Sequence, residues 1–133
     1  MEDPADQVTA DDLFQIKQMR TVIALRQIEV ANKTYAIDNQ DHFATNFDQL
    51  VNEFGSHTNF GHGVTLDSFE FVNAGQVTDE MPDVIAFREK NPRQDPDGTW
   101  TRVYGFADGS VQTRSSQDGN FDDYEKQHSP PPP

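Results

Sequence analysis

Asp95, Asp97 and Asp108 are the residues whose type and spacing come closest to offering a site for chemistry. They sit in two glycine-containing stretches, Gln94-Asp95-Pro96-Asp97-Gly98 and Ala107-Asp108-Gly109-Ser110. Carboxylates alternating along a loop supply the hard oxygen ligands that Ca²⁺ takes. The same residues also build turns unaided, since Asp before Gly bonds the backbone two residues on. The residues alone leave both readings open, a Ca²⁺ cofactor or none. Asp118-Gly119-Asn120-Phe121-Asp122-Asp123 has the rhythm with which an EF-hand loop begins, but Asp123 stands where Gly is needed and Ser129 where the bidentate Glu is needed. His57 and His62, with His42 upstream, offer imidazoles to a transition metal, with no third clear ligand beside them. They read more simply as solvated loop histidines. The serines lie in no nucleophile-elbow context, and neither a phosphate loop nor a dinucleotide fingerprint occurs. The expected catalytic set is therefore none, and the chain reads as a non-enzyme.

The elements that must position these residues follow from periodicity. Apolar residues recur at spacings of three and four from Leu13 through Ile16, Met19 and Ile23 to Val30, with Val22, Leu25, Ile28 and Tyr35 beside them. This predicts one amphipathic helix from Asp11 to Ile37, with Asp11 or Asp12 as its cap and the turn formers Asp38 to Asp41 ending it. A short second helix follows, capped by Thr45 or Asn46, with Phe47, Leu50, Val51 and Phe54 on one face and Gly55 as its stop. Residues 56–63 read as a loop. From Val64 the period becomes two, predicting strands over residues 68–72, 83–89, 100–106 and 111–113. Residues 91–98 join the second and third as a loop. Ala107-Asp108-Gly109-Ser110 closes the last pair as a tight hairpin of type I′. Trp100, Tyr104 and Phe106 share one strand face, as core or as an aromatic ridge for a partner. Phe121 and Tyr124 are available to pin the acidic stretch after residue 115.

A helix followed by short strands with tight turns is an α+β order: a long N-terminal helix packed on a four-stranded antiparallel sheet. Residues 11–128 form that domain, after a disordered stretch at residues 1–10 and before a polyproline tail at residues 129–133. The 133 residues amount to one domain. The net charge of −13, from 23 acidic and 10 basic residues, repels nucleic acid and anionic membrane and favours cationic partners. Without cysteine, thiolate chemistry and cysteine–zinc sites are excluded. No apolar run approaches the ~20 residues of a membrane span, and no signal-peptide pattern opens the sequence.

Two segments carry a family resemblance. One runs from Arg26-Gln27-Ile28 into Thr34-Tyr35-Ala36-Ile37-Asp38-Asn39-Gln40-Asp41-His42-Phe43 and on to Thr45-Asn46-Phe47-Asp48-Gln49-Leu50. The other comprises Val84-Ile85-Ala86-Phe87-Arg88-Glu89-Lys90, Asp97-Gly98-Thr99-Trp100 and Tyr104-Gly105-Phe106-Ala107-Asp108-Gly109-Ser110-Val111. Together they resemble the soluble heads of type II secretion pseudopilins and type IV pilin-like proteins of the G-subunit kind, in the forms abundant in Verrucomicrobia and Planctomycetes. The sequence departs from that pattern at Ala44, where the family usually has Pro, at Ser110, where it usually has His, and in lacking the apolar N-terminal helix. The resemblance implies a structural assembly domain whose partners are proteins, among them other pilin-like subunits, at the periplasmic or cell-surface side. It also implies an alternative, a pilin-like protein- or ligand-binding module at the C-terminus of a larger protein, including sigma-factor-like regulators in the cytoplasm. Some pseudopilins hold calcium in a β-loop, which gives the Asp95, Asp97 and Asp108 reading its family counterpart.

Overall fold

The structure, a computed structural model, describes residues 8–54 and 58–131. Helix α1 (Ala10–Asp38) spans 29 residues, or about 44 Å. Its cap is Thr9 rather than Asp11 or Asp12. Asp12 serves as the other half of a capping box, with the Thr9 hydroxyl accepting from the Asp12 amide and the Asp12 carboxylate accepting from the Thr9 amide. The reciprocal pair satisfies two amides that a helix start leaves open. At the other end, Gln40 and Asp41 adopt left-handed backbone and the Asp41 amide donates to the Ala36 carbonyl, which stops the helix where the turn formers begin.

Asn46 caps the next element, its side chain accepting from the Gln49 amide. A 3₁₀ turn (Phe47–Leu50) runs into α2 (Val51–Phe54). Leu50 and Phe54 are buried, whereas Val51, expected on the same face, is exposed. The expected stop at Gly55 lies outside the described residues. The loop expected over residues 56–63 contains a strand: β1 (Asn59–Gly61) pairs with β2 (Val64–Thr65) as a small antiparallel hairpin against α1. His62 and Gly63 close it with left-handed backbone, a conformation that Gly adopts without cost.

The main sheet contains β3 (Phe69–Phe71), β4 (Ile85–Glu89), β5 (Arg93–Gln94), β6 (Trp100–Phe106) and β7 (Val111–Ser116), all antiparallel. It is five-stranded where four strands are expected, because part of the 91–98 loop pairs. β4 and β5 both run along the same partner, Phe106 to Tyr104 facing β4 and Thr101 to Trp100 facing β5. They occupy one position in the sheet, interrupted around Pro92, which has no amide to give the ladder. The β6–β7 hairpin is not type I′. Gly109 alone has a positive φ, and the Gly109 amide returns to the Phe106 carbonyl. A type I turn followed by a left-handed Gly is the second common hairpin solution.

Each face of the sheet has its own core. Leu25 and Ile28 of α1 meet Leu50, Phe69, Phe87 and Val103 on one side. On the other, Ile85, Tyr104 and Phe106 pack with Phe121, flanked by Trp100 and Tyr124. The aromatic trio of β6 therefore does lie on one face, but on the face turned away from α1. The cover there is the C-terminal segment, which forms a short helix, α3 (Asp122–Gln127), that the periodicity does not announce.

Candidate interaction surface on helix α1

Helix α1 carries two apolar stripes. The inner one, at Ala24, Leu25, Ile28, Ala31 and Ala36, is buried against the sheet together with Thr21, Glu29 and Asn32. Three alanines let the helix axis come close to the strands. The polar members have uses of their own: the Thr21 hydroxyl donates to the Lys17 carbonyl, and the Asn32 side chain accepts from the Ala44 amide at 3.0 Å. The outer stripe comprises Met19, Ile23, Val30 and Ile37, at intervals of four and seven residues. At 3.6 residues per turn these fall on the side of the helix opposite Leu25 and Ile28. They are 54%, 37%, 65% and 77% exposed. Of the apolar residues that mark the helix as amphipathic, Leu25 and Ile28 face the core and Met19, Ile23 and Val30 face solvent.

Between this stripe and α2 lies a groove of about 480 Å³, walled by Ile23, Val30, Ala31 and Phe54, with Arg26 and Glu53 at its lip. No helix among the described residues is long and apolar enough to cross a membrane.

The structure separates the three aspartates. Asp95 and Asp97 occupy the turn before β6 and Asp108 the turn after it, roughly 20 Å apart along seven strand residues. Asp95 accepts from the Asp97 and Thr99 amides, and Asp97 from the Thr99 amide at 2.8 Å. The neighbouring Asp97 carboxyl pushes the Asp95 pKa up, while Asp95 and the Thr99 amide hold that of Asp97 down. Asp108 accepts from the amide and hydroxyl of Ser110, which lower its pKa, while its backbone carbonyl accepts from Lys33 Nζ at 2.7 Å. Asp118 accepts from Ser116 and the Asn120 amide in the turn before α3. Among the described residues no group of three or more His, Cys, Asp or Glu is placed to hold a metal ion. His57 lies outside the described residues.

Two buried carboxyls escape sequence reasoning, Glu89, which accepts from the Arg93 side chain and the Val103 amide, and Glu29. Glu29 is 3% exposed, its Oε1 has no hydrogen-bond partner, and burial pushes its pKa up to about 9, opposed by Lys33 and reinforced by Asp108. Its only sequence signal is position: it follows Leu25 by one turn on the inner stripe.

Searches for similarity found no matching family model, no matching curated protein and no matching solved structure.

Proposed function

We propose that this chain is a non-enzymatic assembly domain that packs on neighbouring protein through the outer face of α1. The carrying observation is the second apolar stripe, Met19, Ile23, Val30 and Ile37, presented to solvent along a rigid helix whose other side is anchored in the core. Exposed apolar residues aligned along one helix face are a candidate protein contact site. The pseudopilin-head resemblance of the sequence supports the same reading, since such heads work by packing together. The acidity supports protein rather than nucleic acid as the partner. The non-enzymatic reading draws support from Glu29, the carboxyl with the largest upward shift, which sits against β6 instead of facing a groove.

Sedimentation velocity across a concentration and salt series tests this proposal. A net charge of −13 opposes self-association, so association through the stripe strengthens as salt screens the repulsion. Val30→Glu abolishes it without lowering the melting temperature. A wild-type chain that stays monomeric at every salt and protein concentration sinks the self-assembly form of this reading.

The groove favours a second reading, a protein- or ligand-binding module. Its volume and apolar walls, beside an Arg and a Glu, suit one turn of a partner helix or an extended apolar chain. A monomeric chain whose groove resonances alone shift on titration with an amphipathic peptide would select this reading over the first.

A further inference from the structure

On the face of the sheet away from α1, two arginines and a tyrosine hydroxyl converge on one carboxylate. Arg102 is fixed by the sheet itself, its Nε donating to the Glu89 carbonyl at 2.8 Å and its Nη2 to the Lys90 carbonyl at 2.7 Å. Arg88, on the neighbouring strand, is held by Glu70, with Nε to Oε1 at 2.8 Å. Their free Nη1 atoms and the Tyr104 hydroxyl point to one place. That place is filled by the carboxylate of Glu125, bonded to Arg88, to Arg102 at 3.2 Å and to Tyr104 at 2.7 Å.

Glu125 arrives on a strap, residues 121–128, with little structure of its own. α3 has six residues, none of them fully buried, and a helix that short does not persist alone in water. The strap is held by its rings and a few polar bonds. Tyr124 packs on Tyr104 with centroids 5.1 Å apart, and His128 on Phe106 at 5.4 Å. Arg114 lies over the Tyr124 ring. The Ile85 amide donates to the His128 carbonyl at 2.8 Å. Charge-assisted bonds from preoriented arginines select for a carboxylate, and the rings beside them select for aromatic neighbours.

We propose that this face is a docking site for a short acidic, aromatic helical segment of a partner protein, and that the strap is its occupant in cis. The partner segment carries a carboxylate next to one ring, with a second ring one turn before, as Phe121, Tyr124 and Glu125 do. Docking requires the strap to leave. The occupied fraction of time sets how far the affinity for an outside segment is reduced. The site is separate from the outer face of α1, so it stands whatever becomes of that face.

A labelled synthetic peptide of residues 117–131, titrated into the full chain and followed by fluorescence anisotropy, tests the proposal. Wild type binds weakly. A full chain bearing Phe121→Ser and Glu125→Ala binds at least about tenfold more tightly, because its own strap competes poorly. Binding is lost when the peptide carries the Glu125→Gln change or the chain also carries Arg102→Gln. Equal weak binding by both chains, or indifference to the peptide carboxylate, overturns the proposal. Hydrogen exchange on unaltered wild type decides the matter independently of any variant's folding. The amides of residues 121–128 and of Ile85 exchange before those of β6; exchange of strap and sheet together at one global rate overturns the proposal equally.

Discussion

The carboxyl of Glu29 rests directly against the backbone of Gly105, so closely that a β-carbon at residue 105 would collide with Glu29 Oε1 and come within 3.3 Å of Leu25 Cγ. Helix side chains here pack straight onto the strand backbone. Gly105→Ala is therefore expected to destabilise the fold by about 1–3 kcal/mol, in the range of overpacked core sites. Denaturant unfolding measures it. Combining the change with Glu29→Ala should recover part of the loss, since shortening residue 29 removes the main obstacle. An additive double variant would mean that the collision is relieved elsewhere.

Glu29 also predicts a pH dependence. The folded chain keeps this proton up to about pH 9, while the unfolded chain releases it near its ordinary value of 4.5. Between those values unfolding sheds a proton. The stability contribution is full at pH values below 4.5, falls as pH rises through the window and levels off above about 9. In Glu29→Gln that decline is absent. The stability of the variant relative to wild type should therefore climb by about 1.4 kcal/mol per pH unit across the neutral range. Parallel unfolding free energies for the two chains at mildly acidic and mildly alkaline pH would show that Glu29 is ionised in the fold.

The two stripes of α1 predict opposite responses to the same kind of truncation. Leu25→Ala removes a fully buried side chain from the first core and should cost about 2–5 kcal/mol. Val30→Ala, on the exposed stripe, should stay within about 0.5 kcal/mol of wild type. Thermal melts of the two variants at low protein concentration check the contrast. A large loss from Val30→Ala would place the outer stripe inside a core or an obligate interface.

That contrast marks the limit of what the sequence makes legible. Helix α1 and the strands at residues 69–71 and 100–106 are readable because apolar residues recur at helical and alternating spacings, and the strand at 85–89 because Val84 to Phe87 is a short apolar run. Which side of α1 faces inward is not readable, because large apolar side chains lie on both, Met19, Ile23 and Val30 outside and Leu25 and Ile28 inside. The inner face relies on Ala24, Ala31 and Ala36, which carry little hydropathy but permit close approach, and on polar Thr21, Glu29 and Asn32, which blur the stripe. The pairing of Arg93-Gln94 is hidden by Pro92 and Pro96 on either side. α3 is hidden because its anchoring rings, Phe121 and Tyr124, are outnumbered by the acidic residues around them. The turn roles of Asp97 and Asp108 are legible from the following Gly, but their separation is not, since it depends on β6 running straight between them.

The spacing of those aspartates gives the last prediction. Asp95 and Asp97 close one end of β6 by accepting from Thr99, and Asp108 closes the other by accepting from Ser110. Effects at sites further apart than about 10 Å with no shared partner add within about 0.5 kcal/mol. Asp95→Asn and Asp108→Asn should therefore each cost a small amount of stability, and their combination should cost the sum, with or without added calcium. A single calcium ion gripped by both turns would act differently. It would raise the melting temperature of wild type by mass action, and either substitution alone would remove the whole rise. The double cycle, measured in chelator and in excess Ca²⁺, separates two independent turns from one shared site. Additivity in both conditions leaves turn closure as the work these carboxylates do.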